Sequence, residues 1–207
     1  MTTQTNNSNH KVTGIILSGG AGTRFGGLDK GLQLYKNKAL IEHVIERVST
    51  QVDDLIICVN RNQKEYEKYG YDLINDRPNL NQENIDYQGP LAGITSAINF
   101  LRESKLQTEQ SILISSCDSP ELPIDYVSKL YSKIMNGEAS SVVVNDGNRT
   151  QNLHCLIHSS AWSSLIDFYQ SGGRAMYQWH KKNGSIEVDF SDQAACFLNI
   201  NSNDMLN

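Results

Sequence analysis

The stretch Gly14-Ile15-Ile16-Leu17-Ser18-Gly19-Gly20-Ala21-Gly22-Thr23-Arg24-Phe25-Gly26-Gly27-Leu28-Asp29-Lys30-Gly31 runs an apolar strand directly into a long glycine-rich loop that carries two cations. Its glycines let several backbone N–H groups converge on an anion at close range. Arg24 and Lys30 supply the net charge that such a nest lacks, Arg24 as a bidentate fork and Lys30 as a point charge. The backbone of Leu17, Ser18, Gly19, Gly20 and Gly22 is therefore the expected cradle for phosphate groups. The competing reading, a surface turn with solvated cations, does not call for five glycines in nine residues.

Two commoner glycine motifs fail here. The dinucleotide fingerprint G-x-G-x-x-G would need its third glycine where Phe25 stands, and a P-loop would need Lys and Ser/Thr where Leu28 and Asp29 follow Gly27. What remains is a different phosphate loop, G-G-x-G-x-R-F-G-G-x-D-K.

Working outward, short apolar runs alternate with helical patterns, as expected of βαβ units and a mainly parallel sheet. Val12–Leu17, Leu55–Val59 and Ile112–Ser115 read as central strands. Leu40, Ile41, Val44, Ile45 and Val48 recur at helical spacing, as do Ile94, Ala97, Ile98 and Leu101. A further helix carries Val127, Leu130, Tyr131 and Ile134. Ser141–Val144 and Leu153–Ile157 then flank an Asp146-Gly147 turn as a hairpin. Helices are expected around Ala161–Tyr169 and near Arg174–Lys181, and a last strand around Leu198–Asn201. The fold class is α/β: a Rossmann-like, mainly parallel sheet flanked by helices, with a small antiparallel element in the second half. Residues 1–11 read as a flexible polar start and 12–207 as one domain, 12–120 holding nucleotide and 121–207 holding acceptor. The polar run 75–88 reads as a mobile loop.

Composition sets outer limits. The chain has 207 residues, 39% of them apolar, with no apolar stretch approaching the ~20 residues of a membrane span. The polar start has no apolar core of the kind a signal peptide needs, so cytoplasmic location is the expectation. Cys58, Cys117, Cys155 and Cys196 are scattered without C-x-x-C spacing, which points to buried thiols and away from structural zinc. A net charge of −5 argues against nucleic-acid binding.

The loop signature resembles that of nucleotidyltransferases that activate a phosphorylated acceptor with a nucleoside triphosphate, and within them the molybdenum cofactor guanylyltransferases. The resemblance extends through Lys38-Ala-Leu-Ile-Glu-His-Val44, Gly89-Pro90-Leu91-Ala92-Gly93, Ser116-Cys-Asp118-Ser-Pro120 and Phe197-Leu-Asn199-Ile-Asn201-Ser202. It implies a nucleotide-diphospho-sugar transferase type of fold, GTP and molybdopterin as substrates and Mg²⁺ as cofactor; a monomer is the expectation, although no residue fixes the oligomeric state. Handing over a reactive cofactor makes transient contact with molybdenum cofactor biosynthesis proteins or apo-molybdoenzymes an expectation, while charge and composition lead to no nucleic acid or membrane partner.

Asp118 directly follows a central strand, where one carboxylate plus phosphate oxygens and water suits Mg²⁺; it is the expected metal ligand, the alternative being a turn or cap aspartate. With Arg24 and Lys30 it makes the expected catalytic set. The resemblance adds Asp76 and Cys58 as nucleotide-contacting positions. The family often has a polar residue at position 58, so either backbone or Asn60 takes that role. Gly89, Pro90, Leu91 and Gly93 would admit a flat purine, or simply start a helix. For the acceptor the candidates are Arg149, Gln151, His154, Arg174 and Asn199. His154 is as well read as a packed core histidine, Asn152 stands where the family has proline, Lys181-Lys182 reads as a solvated face, and Asn201 is assigned to structure. A transferase of the same fold using CTP or a sugar or polyol phosphate is the nearest alternative. A non-catalytic module that delivers cofactor is the alternative of another class.

Overall fold

The opening apolar run forms strand β1 (Lys11–Leu17), whose alternation sends Val12 and Ile16 to one face and Ile15 to the other. The computed structural model describes residues 10–18, 27–76, 89–104 and 110–201. After the glycine loop comes a small hairpin, β2 (Leu34–Tyr35) and β3 (Lys38–Ala39), set apart from the main sheet. Its two turn residues, Lys36 and Asn37, both take positive φ (48° and 65°), the pattern of a type I′ turn. Helix α1 (Leu40–Val48) buries Leu40, Ile41, Val44 and Val48. Its C-terminal turn packs hard on β1 because position 14 is glycine. A Cβ there would lie 2.6 Å from Leu55 Cδ1 and 3.1 Å from Val48 Cγ1.

Strand β4 (Asp54–Cys58), the short helix α2 (Gln63–Glu67) and strand β5 (Asp72–Ile74) follow. Helix α3 (Pro90–Glu103) starts with Pro90 in its first turn, where a missing N–H costs nothing, and it buries a nearly continuous apolar face before β6 (Gln110–Ser116). Helix α4 (Tyr126–Met135) leads to the hairpin of β7 (Ser141–Asn145) and β8 (Thr150–His158). Helices α5 (Trp162–Gln170) and α6 (Met176–Asn183) and strand β9 (Ile186–Asp189) complete the regular elements.

Among the described residues the main sheet has seven strands in the order β5-β4-β1-β6-β8-β7-β9, all parallel except β8, which runs antiparallel to both neighbours. Helices α1 and α4 cover one face, over a core that includes Ile16, Ile57, Leu113 and Val142; α3, α5 and α6 cover the other, over Ile15, Ile56, Ile114 and Val143. This is the three-layer α/β arrangement expected from the alternating patterns, and the antiparallel element is built into the main sheet. Cys58, Cys117 and Cys155 are buried free thiols, with Cys196 partly exposed. No described helix is long and apolar enough to cross a membrane.

The expected last strand is a correction. Ser191–Phe197 turns through 3-10 geometry, and Leu198–Asn201 runs beside the sheet without joining it. Its backbone is occupied elsewhere, since the Ile200 N–H donates to the Asp118 carbonyl at 2.8 Å. The alternation fails as well, since Leu198 is exposed and Ile200 buried although an extended strand would put both on one face.

Candidate active site

The chain leaves β1 through α1 on one face and reaches β6 through α3 on the other, so the direction of winding reverses at the carboxyl ends of β1 and β6. A ligand crevice is expected at that point in an open α/β sheet. Two backbone bonds extend the sheet past the strand ends, Ser18 N–H to the Cys58 carbonyl at 2.9 Å and Cys117 N–H to the Leu17 carbonyl at 3.1 Å. They fix the segment on which Asp118 sits. Gly19, Gly20, Gly22 and Arg24 lie outside the described residues.

At this crevice Lys30 Nζ lies 2.5 Å from Asp118 Oδ2 and donates to Asn201 Oδ1 at 2.8 Å. Three segments distant in sequence thus meet at one ammonium group. Both partners of the ion pair are mostly out of water, with side-chain exposures of 19% and 13%. The second carboxylate oxygen, Asp118 Oδ1, is buried and has no hydrogen-bond partner among the described residues. A buried carboxylate oxygen without a partner is destabilising unless a ligand completes it. No described group of three or more His, Cys, Asp or Glu residues is arranged to hold a metal. A lone carboxylate nevertheless suits Mg²⁺, which is often held by one or two carboxylates plus substrate phosphate oxygens and water.

Lys30 is held from below by groups that sequence reasoning did not single out. The neighbouring Asp29 carboxylate is 5% exposed. Its Oδ1 accepts from the Tyr66 hydroxyl at 2.8 Å and the Gly31 N–H at 3.2 Å, and its Oδ2 accepts from Asn62 Nδ2 at 3.1 Å. Arg61 lies 3.8 Å from the same carboxylate and donates to the Gly27 and Leu28 carbonyls at 2.8 and 2.5 Å. The Tyr66 hydroxyl also meets Ser18 Oγ at 2.7 Å. One phenol therefore ties the point where the chain enters the glycine loop to the point where it leaves. Burial pushes that phenol well above its ordinary pKa, so it stays protonated. Gly31 has to be glycine, because a Cβ there would overlap Ser18 Oγ and the Tyr66 hydroxyl. The sequence signals were Asp29 directly before Lys30 and the polar run Asn60-Arg61-Asn62 at the end of an apolar strand.

A second group of expected residues gathers around the start of α3. A Cβ on Gly93 would lie 3.1 Å from Asp76 Oδ1, 3.3 Å from Cys58 Cβ and 3.5 Å from Leu17 Cδ2. Leu17, Cys58, Asp76 and Gly93 are thus neighbours, and the absence of a side chain at 93 keeps the space between them. Cys58 is buried, its thiol donating to the Gly93 carbonyl at 3.5 Å, and burial raises its pKa. Asn60 Oδ1 accepts from the Asp76 N–H at 2.9 Å, so Asn60 holds Asp76 in place. Burial also raises the Asp76 carboxyl pKa. Gly89 precedes the helix with φ +74°, Pro90 opens it, and Leu91 is buried.

The acceptor candidates divide. Gln151 is buried and donates to Asp146 Oδ2 at 2.6 Å, while exposed Arg149 uses its backbone N–H to bind Asp146 Oδ1; both secure the hairpin turn. Arg174 donates to the Tyr169 and Gly173 carbonyls, and its own carbonyl lies beside Gly89. Lys181 and Lys182 are exposed. His154 and Asn199, in contrast, both meet Ser119, the residue after Asp118. His154 Nε2 lies 3.0 Å from Ser119 Oγ, which donates to Asn199 Oδ1 at 2.8 Å. Burial pushes the His154 pKa down to about 4. At Asn152 the backbone carbonyl accepts from His180 Nε2 at 3.1 Å, and the side chain donates to the Thr150 carbonyl.

The family model described as a MobA-like NTP transferase domain matches residues 14–184. The molybdenum cofactor guanylyltransferase of Shewanella halifaxensis is 36% identical over 192 residues, covering 93% of this chain and 90% of that protein. Among solved structures, the molybdopterin-guanine dinucleotide biosynthesis protein A of Archaeoglobus fulgidus superposes with a TM-score of 0.72 at 20% identity, covering 94% of each chain. A 4-diphosphocytidyl-2C-methyl-D-erythritol synthase from Anaerococcus prevotii superposes with a TM-score of 0.64 at 10% identity, covering 95% of each. These two superpositions are likenesses of fold.

Proposed function

The chain belongs to the MobA-like NTP transferases, the family of the molybdenum cofactor guanylyltransferases, and from that premise we propose that it transfers GMP from GTP to the phosphate of molybdopterin. An oxygen of the acceptor phosphate bonds to the α-phosphorus of GTP, the bond from that phosphorus to the bridging oxygen breaks, and pyrophosphate leaves with the electron pair. The product is molybdopterin guanine dinucleotide. The observation that carries this reading is the meeting of Lys30, Asp118 and Asn201 at the carboxyl ends of β1 and β6, with one Asp118 oxygen left for a ligand.

Such a transfer asks the protein mainly to position phosphates and neutralise charge. Lys30 does this as a preorganised cation. Its ammonium is already fixed by two acceptors, and its backbone is anchored through Asp29 and Tyr66, so little has to reorganise as charge builds on the leaving pyrophosphate. Asp118 Oδ1 is the atom that would hold Mg²⁺, which when bound supplies positive charge to phosphate oxygens. Asp76 and Gly93 border the space assigned to the purine. No protein nucleophile takes part, and no general base is required, because an acceptor phosphate is already ionised at neutral pH. His154, depressed to about 4, is a neutral group bonded to Ser119 and takes up no proton there. In this role the protein acts in the cytoplasm on GTP and molybdopterin and passes its product to an apo-molybdoenzyme.

A ligand that binds only the native state raises its melting temperature. With Mg²⁺ present, GTP is expected to stabilise the purified protein, and CTP, ATP and UTP at the same concentration to stabilise it far less. Selective stabilisation by CTP would keep the fold and the chemistry but change the product. No response to any of the four would remove nucleotide binding itself.

A further inference from the structure

His154 buries an imidazole with one ring nitrogen left unsatisfied among the described residues, which carries a desolvation cost. The pairing of β7 with β8 jumps from Val143 opposite Cys155 to Val144 opposite Gln151, so residues 152–154 form a bulge with no partners across the ladder. Bulges re-aim side chains, and this one places His154 inside the protein at 1% exposure, edge-on to the Tyr126 and Phe197 rings. Its Nδ1 is buried with no hydrogen-bond partner among the described residues. Phenylalanine or leucine among the same rings would carry no such penalty.

The hydrogen bonds around it have a fixed polarity. Ser119 has one hydroxyl proton and gives it to Asn199 Oδ1. The bond at 3.0 Å between Ser119 Oγ and His154 Nε2 therefore runs the other way, from imidazole N–H to hydroxyl oxygen. With its oxygen engaged, the Asn199 amide keeps its NH₂ for another acceptor. Asn201 is fixed in the same sense, its Oδ1 accepting from Lys30. Two amide groups thus have committed oxygens, Asn201 on Lys30 and Asn199 on Ser119, the residue after Asp118.

We propose that His154 is a positioning residue that acts through Ser119 to set the orientation of the Asn199 amide, so that Asn199 and Asn201 offer N–H donors to the oxygens of the acceptor's phosphate. This rests on guanylyl transfer to a phosphorylated acceptor as the reaction. It moves His154 from the ligand-contacting set to the support behind Asn199 and gives a reason for burying an imidazole that stability does not favour.

The test is steady-state kinetics with GTP and molybdopterin, together with melting temperatures, for His154→Phe, His154→Gln, Ser119→Ala and the double variant His154→Phe/Ser119→Ala. His154→Phe is expected to melt no lower than the wild type, to raise the KM for molybdopterin roughly three- to tenfold, and to leave the KM for GTP unchanged, the size of one lost hydrogen bond. His154→Gln, which can still donate to Ser119, should recover most of the lost affinity. Ser119→Ala should weaken the acceptor to the same extent, and the double variant should be no worse than either single one, since both break one relay. Wild-type kinetics in His154→Phe and Ser119→Ala would overturn the proposal. So would a fall in melting temperature with all kinetic constants declining together and no rescue by glutamine. A wild-type protein that forms no dinucleotide would instead strike at guanylyl transfer itself, a result distinguishable from a silent His154 variant.

Discussion

Asp118→Asn is expected to lower the rate of pyrophosphate release by roughly 10²–10⁴-fold while leaving the protein folded and able to bind GTP. The substitution keeps the shape of the side chain and a carbonyl oxygen facing Lys30, which also retains Asn201 as an acceptor. It removes the negative charge from Oδ1, the buried oxygen without a protein partner and the atom assigned to Mg²⁺. A metal that neutralises a phosphoryl oxygen contributes several kcal/mol to the transition state, which corresponds to that range of rates. The assay is single-turnover pyrophosphate release with saturating GTP and molybdopterin, with circular dichroism to confirm folding. A rate within threefold of the wild type would mean that Asp118 serves only as the counter-ion of Lys30. No pyrophosphate release from the wild type itself would instead favour the delivery-module alternative, in which nucleotide is bound and not consumed.

Lys30→Met is expected to reduce kcat/KM for GTP by roughly 10²–10³-fold, the loss seen when one preorganised charge-stabilising donor is removed from a transferring group. Methionine keeps much of the apolar stem, so the change isolates the ammonium. Lys30→Arg should not restore activity. The site holds a compact point charge between a carboxylate at 2.5 Å and an amide oxygen at 2.8 Å, and a longer planar fork does not fit that geometry. Steady-state kinetics on both variants checks this. Near-full activity in Lys30→Arg would show that any cation suffices and that the anchoring through Asp29 and Tyr66 has no kinetic role.

The parts legible in the sequence were those that local periodicity encodes. The three central strands, the crossover helices and the hairpin around Asp146-Gly147 all announce themselves by alternation, by helical spacing or by turn chemistry, and each is present. The β2–β3 hairpin was missed because its turn puts a lysine, Lys36, at a positive φ that sequence signals reserve for Asn and Gly. The terminal segment was misjudged for a related reason. Its residue types alternate, but its backbone bonds to the Asp118 loop and not to a neighbouring strand, and Leu198 is exposed where Ile200 is buried.

Within the candidate site, loop chemistry pointed to Lys30 and Asp118 separately, but their pairing joins residues 88 apart, and the bond from Lys30 to Asn201 spans 171. No local pattern carries such contacts. Asp29 and Tyr66 escaped notice because an aspartate beside a lysine reads as a solvated pair, and a tyrosine in a five-residue helix reads as packing. Only their burial on one hydrogen-bonded chain shows that they hold the glycine loop at its base. His154 was correctly suspected of being a core histidine. What the sequence could not reveal was the bulge that turns it toward Ser119.

The most direct test of the central claim is product formation: α-labelled GTP, molybdopterin and Mg²⁺ incubated with the purified protein, the products separated by chromatography, and CTP, ATP and UTP run in parallel. Guanylyl transfer predicts that label moves from GTP to a molybdopterin guanine dinucleotide with one pyrophosphate released per dinucleotide, and that the other nucleotides give little or no product. Label remaining in GTP in the presence of molybdopterin, by a protein that GTP demonstrably stabilises, would contradict it.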